Sequence, residues 1–129
     1  MCSSDLTAFR QLMQQADELG LPNLSVECSI SVAEAMIKNH QHAQAQQEIE
    51  RTLLRSDRIG LWPLSARAHY LLGAALRASG NQTEAQQQYR NVVQLLDQMR
   101  KEPGADKILQ RSDFKAMYEE ATRSQAAKS

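Results

Sequence analysis

The sequence repeats itself at a distance of 40 residues, and this repeat constrains the fold more than any other feature. The string GLPNLS at residues 20–25 returns as GLWPLS at residues 60–65. A sustained period of this length is typical of a solenoid of stacked helical hairpins. The same step relates further pairs: Asp17 and Asp57, Leu19 and Ile59, Val32 and Leu72, Ala33 and Gly73, Ala35 and Ala75, Met36 and Leu76, Ala45 and Ala85, Gln46 and Gln86, and Gln47 and Gln87.

The composition and the apolar spacing both predict helices. Aromatic residues make up 5% of the chain, and Ala, Gln, Leu, Glu and Arg predominate, as they do in helices with polar surfaces. Between clusters of Gly and Pro, apolar residues recur at i, i+3, i+4 and i+7, which predicts helices that bury one face. Ser65 and Thr83 are predicted N-caps. We therefore predict an all-α fold with helices over about 5–19, 24–38, 42–58, 64–79, 83–101 and 106–124.

The second repeat resembles a known family of helical repeats. The stretch HYLLGAALRASGNQTEAQQQYRNVV is similar to a tetratricopeptide repeat. The resemblance implies a right-handed α-solenoid of antiparallel helical hairpins, about six helices in all. The chain departs from the family in its longer period, 40 residues instead of about 34, and in having Asp97 where Pro usually closes a hairpin. The matching residues are His69, Leu72, Gly73, Leu76, Gly80, Ala85, Tyr89 and Val92, with a weaker match at Ser29, Val32, Ala33, Met36, His40, Ala45, Ile49 and Thr52.

The repeat and the resemblance together predict a single domain over 1–129. In each turn we expect Gly to end the second helix of a hairpin (helix B), Pro to stop helix propagation, and Ser to start the next first helix (helix A). We expect Trp62 to seal the seam between hairpins, and its alternative role is that of a partner-binding anchor. The predicted parts are an unpaired B-type helix over 1–22, a first repeat over 23–60, a second repeat over 61–102, and a C-terminal capping helix and tail over 103–129.

Little in the sequence points to catalytic or metal chemistry. There is no glycine-rich phosphate-binding loop in a chain with five glycines. His40 and His42 lie close together but lack a third ligand at zinc-like spacing, so we expect a solvated turn there. Cys2 and Cys28 match neither a redox pair nor a disulfide framework. We therefore expect no enzyme activity, no cofactor and no metal.

The charge pattern argues against nucleic acid and membranes as partners. The 15 basic and 15 acidic residues balance, which leaves no net field to attract polyanions. Arg51, Arg55 and Arg58 are interleaved with acidic residues, and this pattern predicts a self-compensating solvated face. No run of about 18 apolar residues occurs, and the N-terminus lacks the features of a signal peptide. We predict a cytoplasmic protein.

The resemblance also implies a mode of action. Tetratricopeptide arrays bind extended or helical segments of partners on the concave face that their A helices line. We expect a protein or peptide partner, and Arg67 and Arg77 would suit an acidic segment. The carboxylate clamp of some family members is not expected, because Leu71 and Ser31 stand where an Asn would help. Carried across position by position, the predicted partner-binding residues are Glu27, Ile30, Glu34, Lys38, Arg67, Tyr70, Ala74 and Arg77.

A second hypothesis is that the chain serves self-association, or is a structural or regulatory segment of a larger multidomain signalling protein, such as a bacterial kinase or transcription regulator. The first helix has no A partner. Leu6, Phe9 and Met13 would therefore leave an exposed apolar patch in a monomer. This favours a homodimer through the N-terminal helix or a neighbouring segment that covers it.

Overall fold

The computed structural model of the chain describes residues 3–101 and 112–126. Within these two ranges the backbone forms six helices and no strand, so the predicted all-α fold is confirmed. The predicted start of the last helix, at residue 106, lies outside the described residues. The helices are α1 (Ser3–Glu18), α2 (Pro22–Lys38), α3 (His42–Ile59), α4 (Trp62–Ala78), α5 (Gln82–Arg100) and α6 (Ser112–Ala126).

The turns explain why the period is 40 residues. Helices α2 to α5 begin at residues 22, 42, 62 and 82, so each hairpin consists of two steps of 20 residues. A residue with positive φ lies two positions before each of these helices: Gly20 (71°), His40 (62°), Gly60 (85°) and Gly80 (88°). The N–H of the next residue donates to the carbonyl five residues earlier, over 2.8 to 2.9 Å. Such a left-handed turn ends one helix and reverses the chain, as predicted for the glycines.

The starts of α4 and α5 differ from the prediction. Leu61 and Asn81 occupy the N-cap positions, and neither makes a side-chain capping hydrogen bond. Ser65 and Thr83 lie inside the helices, so the prediction that they are N-caps is wrong. Pro63 lies in the first turn of α4, where the missing N–H is not needed for an intrahelical bond. It therefore begins this helix and does not stop the previous one.

The serine of the repeated string joins two helices. Ser65 is fully buried, its hydroxyl donates to Asp57 over 2.8 Å, and it lies 2.7 Å from the hydroxyl of Ser56. Forty residues earlier, Asp17 and Ser25 have the same spacing, and the nearby hydroxyl of Ser25 lowers the pKa of Asp17, but this buried hydroxyl makes no hydrogen bond with the described residues. The hydrogen bond between Ser65 and Asp57 therefore ties the end of α3 to the start of α4.

The helices stack into a solenoid. Each helix packs on the next one along the chain, and α2, α4 and α6 also contact one another in sequence. A Cβ added to Gly73 would lie 3.1 Å from the ring of Tyr89. The missing side chain therefore lets α4 approach α5 closely at this ring. The core also includes Val26, Val32, Ile49, Ala68, Leu72, Leu76, Val92, Leu96, Phe114 and Met117.

Candidate partner-binding face

The fold brings four of the predicted partner-binding residues together between α2, α4 and α6. Glu34, Arg67 and Tyr70 line one cavity of about 230 Å³. Glu27 and Arg67 line a second cavity of about 220 Å³. Arg67 thus lies at the junction of the two cavities, with a carboxylate from α2 on the wall of each. We refer to these two cavities and their lining residues as the A-helix face.

Four predicted residues, including Arg77, do not line these cavities, and one of the four cannot contact a partner. Ile30 is 1% exposed and belongs to the core, so its prediction as a surface residue is wrong. Helix α2 packs against α4, and Ile30 belongs to the core that these helices share. Lys38 is exposed in the last turn of α2, and Ala74 is half-buried in α4.

The C-terminal helix α6 contacts two of the predicted partner-binding residues, Tyr70 and Arg77. The hydroxyl of Tyr70 donates a short hydrogen bond to the carboxylate of Glu120. The guanidinium of Arg77 donates to the other oxygen of the same carboxylate over 3.2 Å. A carboxylate with two such donors is held by charge-assisted hydrogen bonds. Glu120 therefore already engages two of the residues that were predicted to bind a partner.

Two tyrosines and one arginine form the niche that holds Glu120. The guanidinium carbon of Arg77 lies 5.4 Å from the ring centroid of Tyr89, within cation–π range. The rings of Tyr70 and Tyr89 meet edge to face at 6.0 Å. Burial raises the pKa of Tyr70, and the hydrogen bond to Glu120 raises it further. Burial also raises the pKa of Tyr89. Both phenols therefore stay protonated at neutral pH and act as donors or neutral walls.

The sequence did not reveal that α6 takes part in this face. The spacing of Phe114, Met117 and Ala121 predicts a helix with one apolar side, and these residues are buried. The sequence pattern alone does not say which helix that side covers. In the structure Met117 lines the first cavity and Phe114 lines the second, so α6 forms one wall of the A-helix face.

The histidines and cysteines considered for metal or redox chemistry do not form such a site in the part of the chain that the structure describes. The rings of His40 and His42 meet edge to face at 5.9 Å. No group of three potential metal ligands occurs among the residues that the structure describes. Cys28 is buried as a free cysteine, and burial raises the pKa of its thiol, while Cys2 lies outside the described residues. None of the helices in 3–101 and 112–126 is long and apolar enough to cross a membrane.

Trp62 does not seal the seam between hairpins, contrary to the favoured prediction. Its side chain is 46% exposed. It lines an open cleft on the opposite side from the A-helix face, together with Leu95 and Gln98 of α5.

Comparison with known protein families gives a match. The profile of the bacterial transcriptional activator domain family matches residues 3–107 of the chain. No curated protein and no solved structure matches it. The matched range includes α1 to α5 and therefore both predicted repeats.

Proposed function

The chain belongs to the bacterial transcriptional activator domain family, and on this basis we propose that it is a non-catalytic regulatory module of a larger signalling protein. It binds a segment of a partner protein on the A-helix face and needs no cofactor. We also propose that its hairpins are long-period tetratricopeptide repeats in a single domain over 1–129. The proposed parts are the unpaired helix over 1–22, the repeats over 23–60 and 61–102, and the capping region over 103–129.

The observation that carries this proposal is the position of Arg67. This side chain is half-buried at the junction of the two cavities, and Glu27 and Glu34 stand on their α2 walls. A partner segment that lies between α2 and α6 would place a carboxylate on Arg67 and hydrogen-bond donors toward the two glutamates. Alternation of charge along a groove selects one register of a bound segment.

Affinity capture with matched variants tests this surface. The full-length parent protein carrying Arg67→Ala is compared with the wild type and with Arg90→Ala, because Arg90 is an exposed arginine on helix α5. Both variants lose one positive charge, so a general charge effect appears in both. We expect the wild type and Arg90→Ala to retain the same specific partners and Arg67→Ala to lose them.

Tyr70 and Arg77 are left unchanged in this test, because both hold α6 through Glu120. Circular dichroism and thermal unfolding must show that Arg67→Ala folds like the wild type. Equal retention of partners by a correctly folded Arg67→Ala variant would refute recognition on this face.

A second candidate function is self-association through α1. Leu12 is 40% exposed, whereas its equivalents one and two repeats later, Thr52 and Val92, are 3% and 0% exposed. The side of α1 that would face an A helix is therefore open at this position. Met13 is half-buried, and the side chains of Leu6 and Phe9 lie outside the described part.

Light scattering at high concentration separates the two functions. A homodimer through α1 predicts that Leu12→Gln shifts the protein toward monomer. The matched change Leu54→Gln, at a 69% exposed leucine of α3, should leave the mass unchanged. A wild type that stays monomeric at all concentrations would exclude self-association through this helix.

We propose that the helices of this chain do not contact nucleic acid themselves, whatever the larger activator binds. The arginines of α3 support this view, since Arg51 pairs with Glu48 over 3.3 Å and Arg55 pairs with Asp17 over 2.7 Å. Paired arginines are poor donors for a phosphate backbone because the existing ion pairs must first be broken. A transcriptional activator works where the bacterial chromosome lies, so we also propose a cytoplasmic location without a membrane partner.

A further inference from the structure

A cleft on the side opposite the A-helix face has an unusual lining. It measures about 400 Å³ and lies between the end of α3, the start of α4 and the second half of α5. Helices α3 and α4 contribute Asp57, Trp62 and His69 to its lining, and α5 contributes Asn91, Gln94, Leu95 and Gln98. No lysine or arginine is among the described residues that line it. The described lining therefore presents a carboxylate, an aromatic ring and the imidazole of His69, whose Nδ1 lies 2.7 Å from the side-chain oxygen of Gln88.

The first repeat shows what occupies the equivalent place. Forty residues before Asp57 and Leu95 stand Asp17 and Arg55. The guanidinium of Arg55 meets the carboxylate of Asp17 over 2.7 Å and bridges α1 and α3. The junction 40 residues later has the equivalent aspartate, Asp57, which accepts a hydrogen bond from Ser65, but it has Leu95 in place of the arginine. The cleft thus lies at the place that the Arg55 side chain occupies at the preceding junction.

Two other arginines of α3 are replaced in the same way. Positions 51 and 58 correspond to Asn91 and Gln98, which are shorter and uncharged. All three positions of α5 that correspond to arginines of α3 therefore line the cleft. In addition, Trp62 stands where the first repeat has Pro22, which adds an indole face to the site.

We propose that this cleft binds an arginine side chain of a partner protein. The carboxylate of Asp57 accepts the guanidinium, as that of Asp17 does in the first repeat, and the indole of Trp62 offers a face for cation–π contact. The half-buried side chains of Leu95 and Met99 border an adjoining compartment of about 170 Å³, where the aliphatic stem of the arginine packs. Arginine is preferred over lysine because its planar guanidinium stacks on a ring and pairs with a carboxylate at the same time.

This site is independent of the A-helix face, because no residue proposed there lines it. A partner that presents a basic segment to the α3 and α5 side could bind while another segment occupies the A-helix face. Failure of one proposal leaves the other in place.

The test uses Trp62, which is the only tryptophan of the chain. N-acetyl-arginine amide is titrated to about 200 mM at constant ionic strength, a range that captures weak millimolar binding, while the NMR signal of the indole N–H is followed. We expect a saturable shift with the arginine amide and a much smaller one with the neutral, nearly isosteric N-acetyl-citrulline amide. Equal shifts with citrulline, equal binding of N-acetyl-lysine amide, or no saturable shift would overturn the proposal.

Variants locate the binding. Asp57→Asn keeps the oxygen that accepts the Ser65 hydroxyl but removes the charge, and it should weaken binding about threefold or more. Leu95→Arg rebuilds the arrangement of the first repeat, so it should shift the indole signal without ligand and abolish the titration. Glu50→Gln and Leu54→Arg make the same chemical changes at exposed positions of α3 and should leave binding unchanged.

The test remains conclusive if only one of the variants Asp57→Asn and Leu95→Arg folds. Circular dichroism must show that each variant is folded. If Leu95→Arg does not fold, Asp57→Asn alone decides, because its structural hydrogen bond is retained. Unchanged arginine binding by a folded Asp57→Asn variant would show that the cleft is not the site.

Discussion

The turn between α2 and α3 contains a testable source of strain. His40 has φ 62°, whereas the three equivalent turns have glycine with φ between 71° and 88°. A left-handed conformation costs a residue with a Cβ atom about 1–2 kcal/mol. Replacing His40 by glycine removes this cost, but it also destabilises the folded state by about 0.4–1 kcal/mol because the unfolded chain becomes more flexible. We therefore expect His40→Gly to stabilise the protein by about 0.5–1 kcal/mol, since the exposed contact of His40 with His42 contributes little.

Equilibrium urea unfolding measures this difference directly, and the melting temperature should rise by about 2–4 °C. The matched control is the reverse change, Gly80→His, at the equivalent position of the second repeat. A Cβ atom at Gly80 meets no atom within 4 Å, so only the backbone strain is tested. We expect this control to lose stability by a similar amount. A destabilised His40→Gly variant together with a neutral Gly80→His variant would refute the strain argument.

Three further changes probe packing, charge and the C-terminal helix. Gly73→Leu should lower the free energy of unfolding by about 1–3 kcal/mol or more because it overpacks the Tyr89 ring, and a wild-type melting temperature would contradict this. The pKa of Asp17 is lowered, so its stabilisation is present above its unfolded pKa of about 4 and is lost as the pH falls through the folded value. The stability gap between wild type and Asp17→Asn should thus shrink below about pH 4, and a gap that grows would be inconsistent. Glu120→Gln should speed hydrogen exchange in α6, and Glu119→Gln, at the adjacent exposed carboxylate, should not.

Much of the fold could be predicted from the sequence because the repeat supplies the same local information twice. Each helix has its own apolar stripe, and the glycines at three of the four reversals mark where helices end. The prediction failed where one residue type serves two purposes. Ser65 is a good N-cap residue, but a buried serine that bonds to an aspartate eight residues earlier has the same local sequence signature.

The candidate site was predictable only in part, because it depends on contacts between distant residues. The family resemblance placed Arg67 and Tyr70 on one predicted face, and both line the same cavity, but it could not show that Glu120 reaches Tyr70 from α6, 50 residues away. The arginines of α3 were predicted to be compensated within their own helix. Arg51 follows that prediction, since it pairs with Glu48 of the same helix. Arg55 instead pairs with Asp17 of α1, a contact between helices that the spacing within α3 cannot predict.

The 20-residue step between helix starts has a consequence for how such a chain can grow. Helices α2 to α5 begin at 22, 42, 62 and 82, so a block of two successive helices and their turns always spans the same length. Duplication of the gene segment for residues 42–81 would insert a helix pair whose two new junctions have the same succession of turns as the existing ones. Lengthening the array in this way requires no new kind of interface.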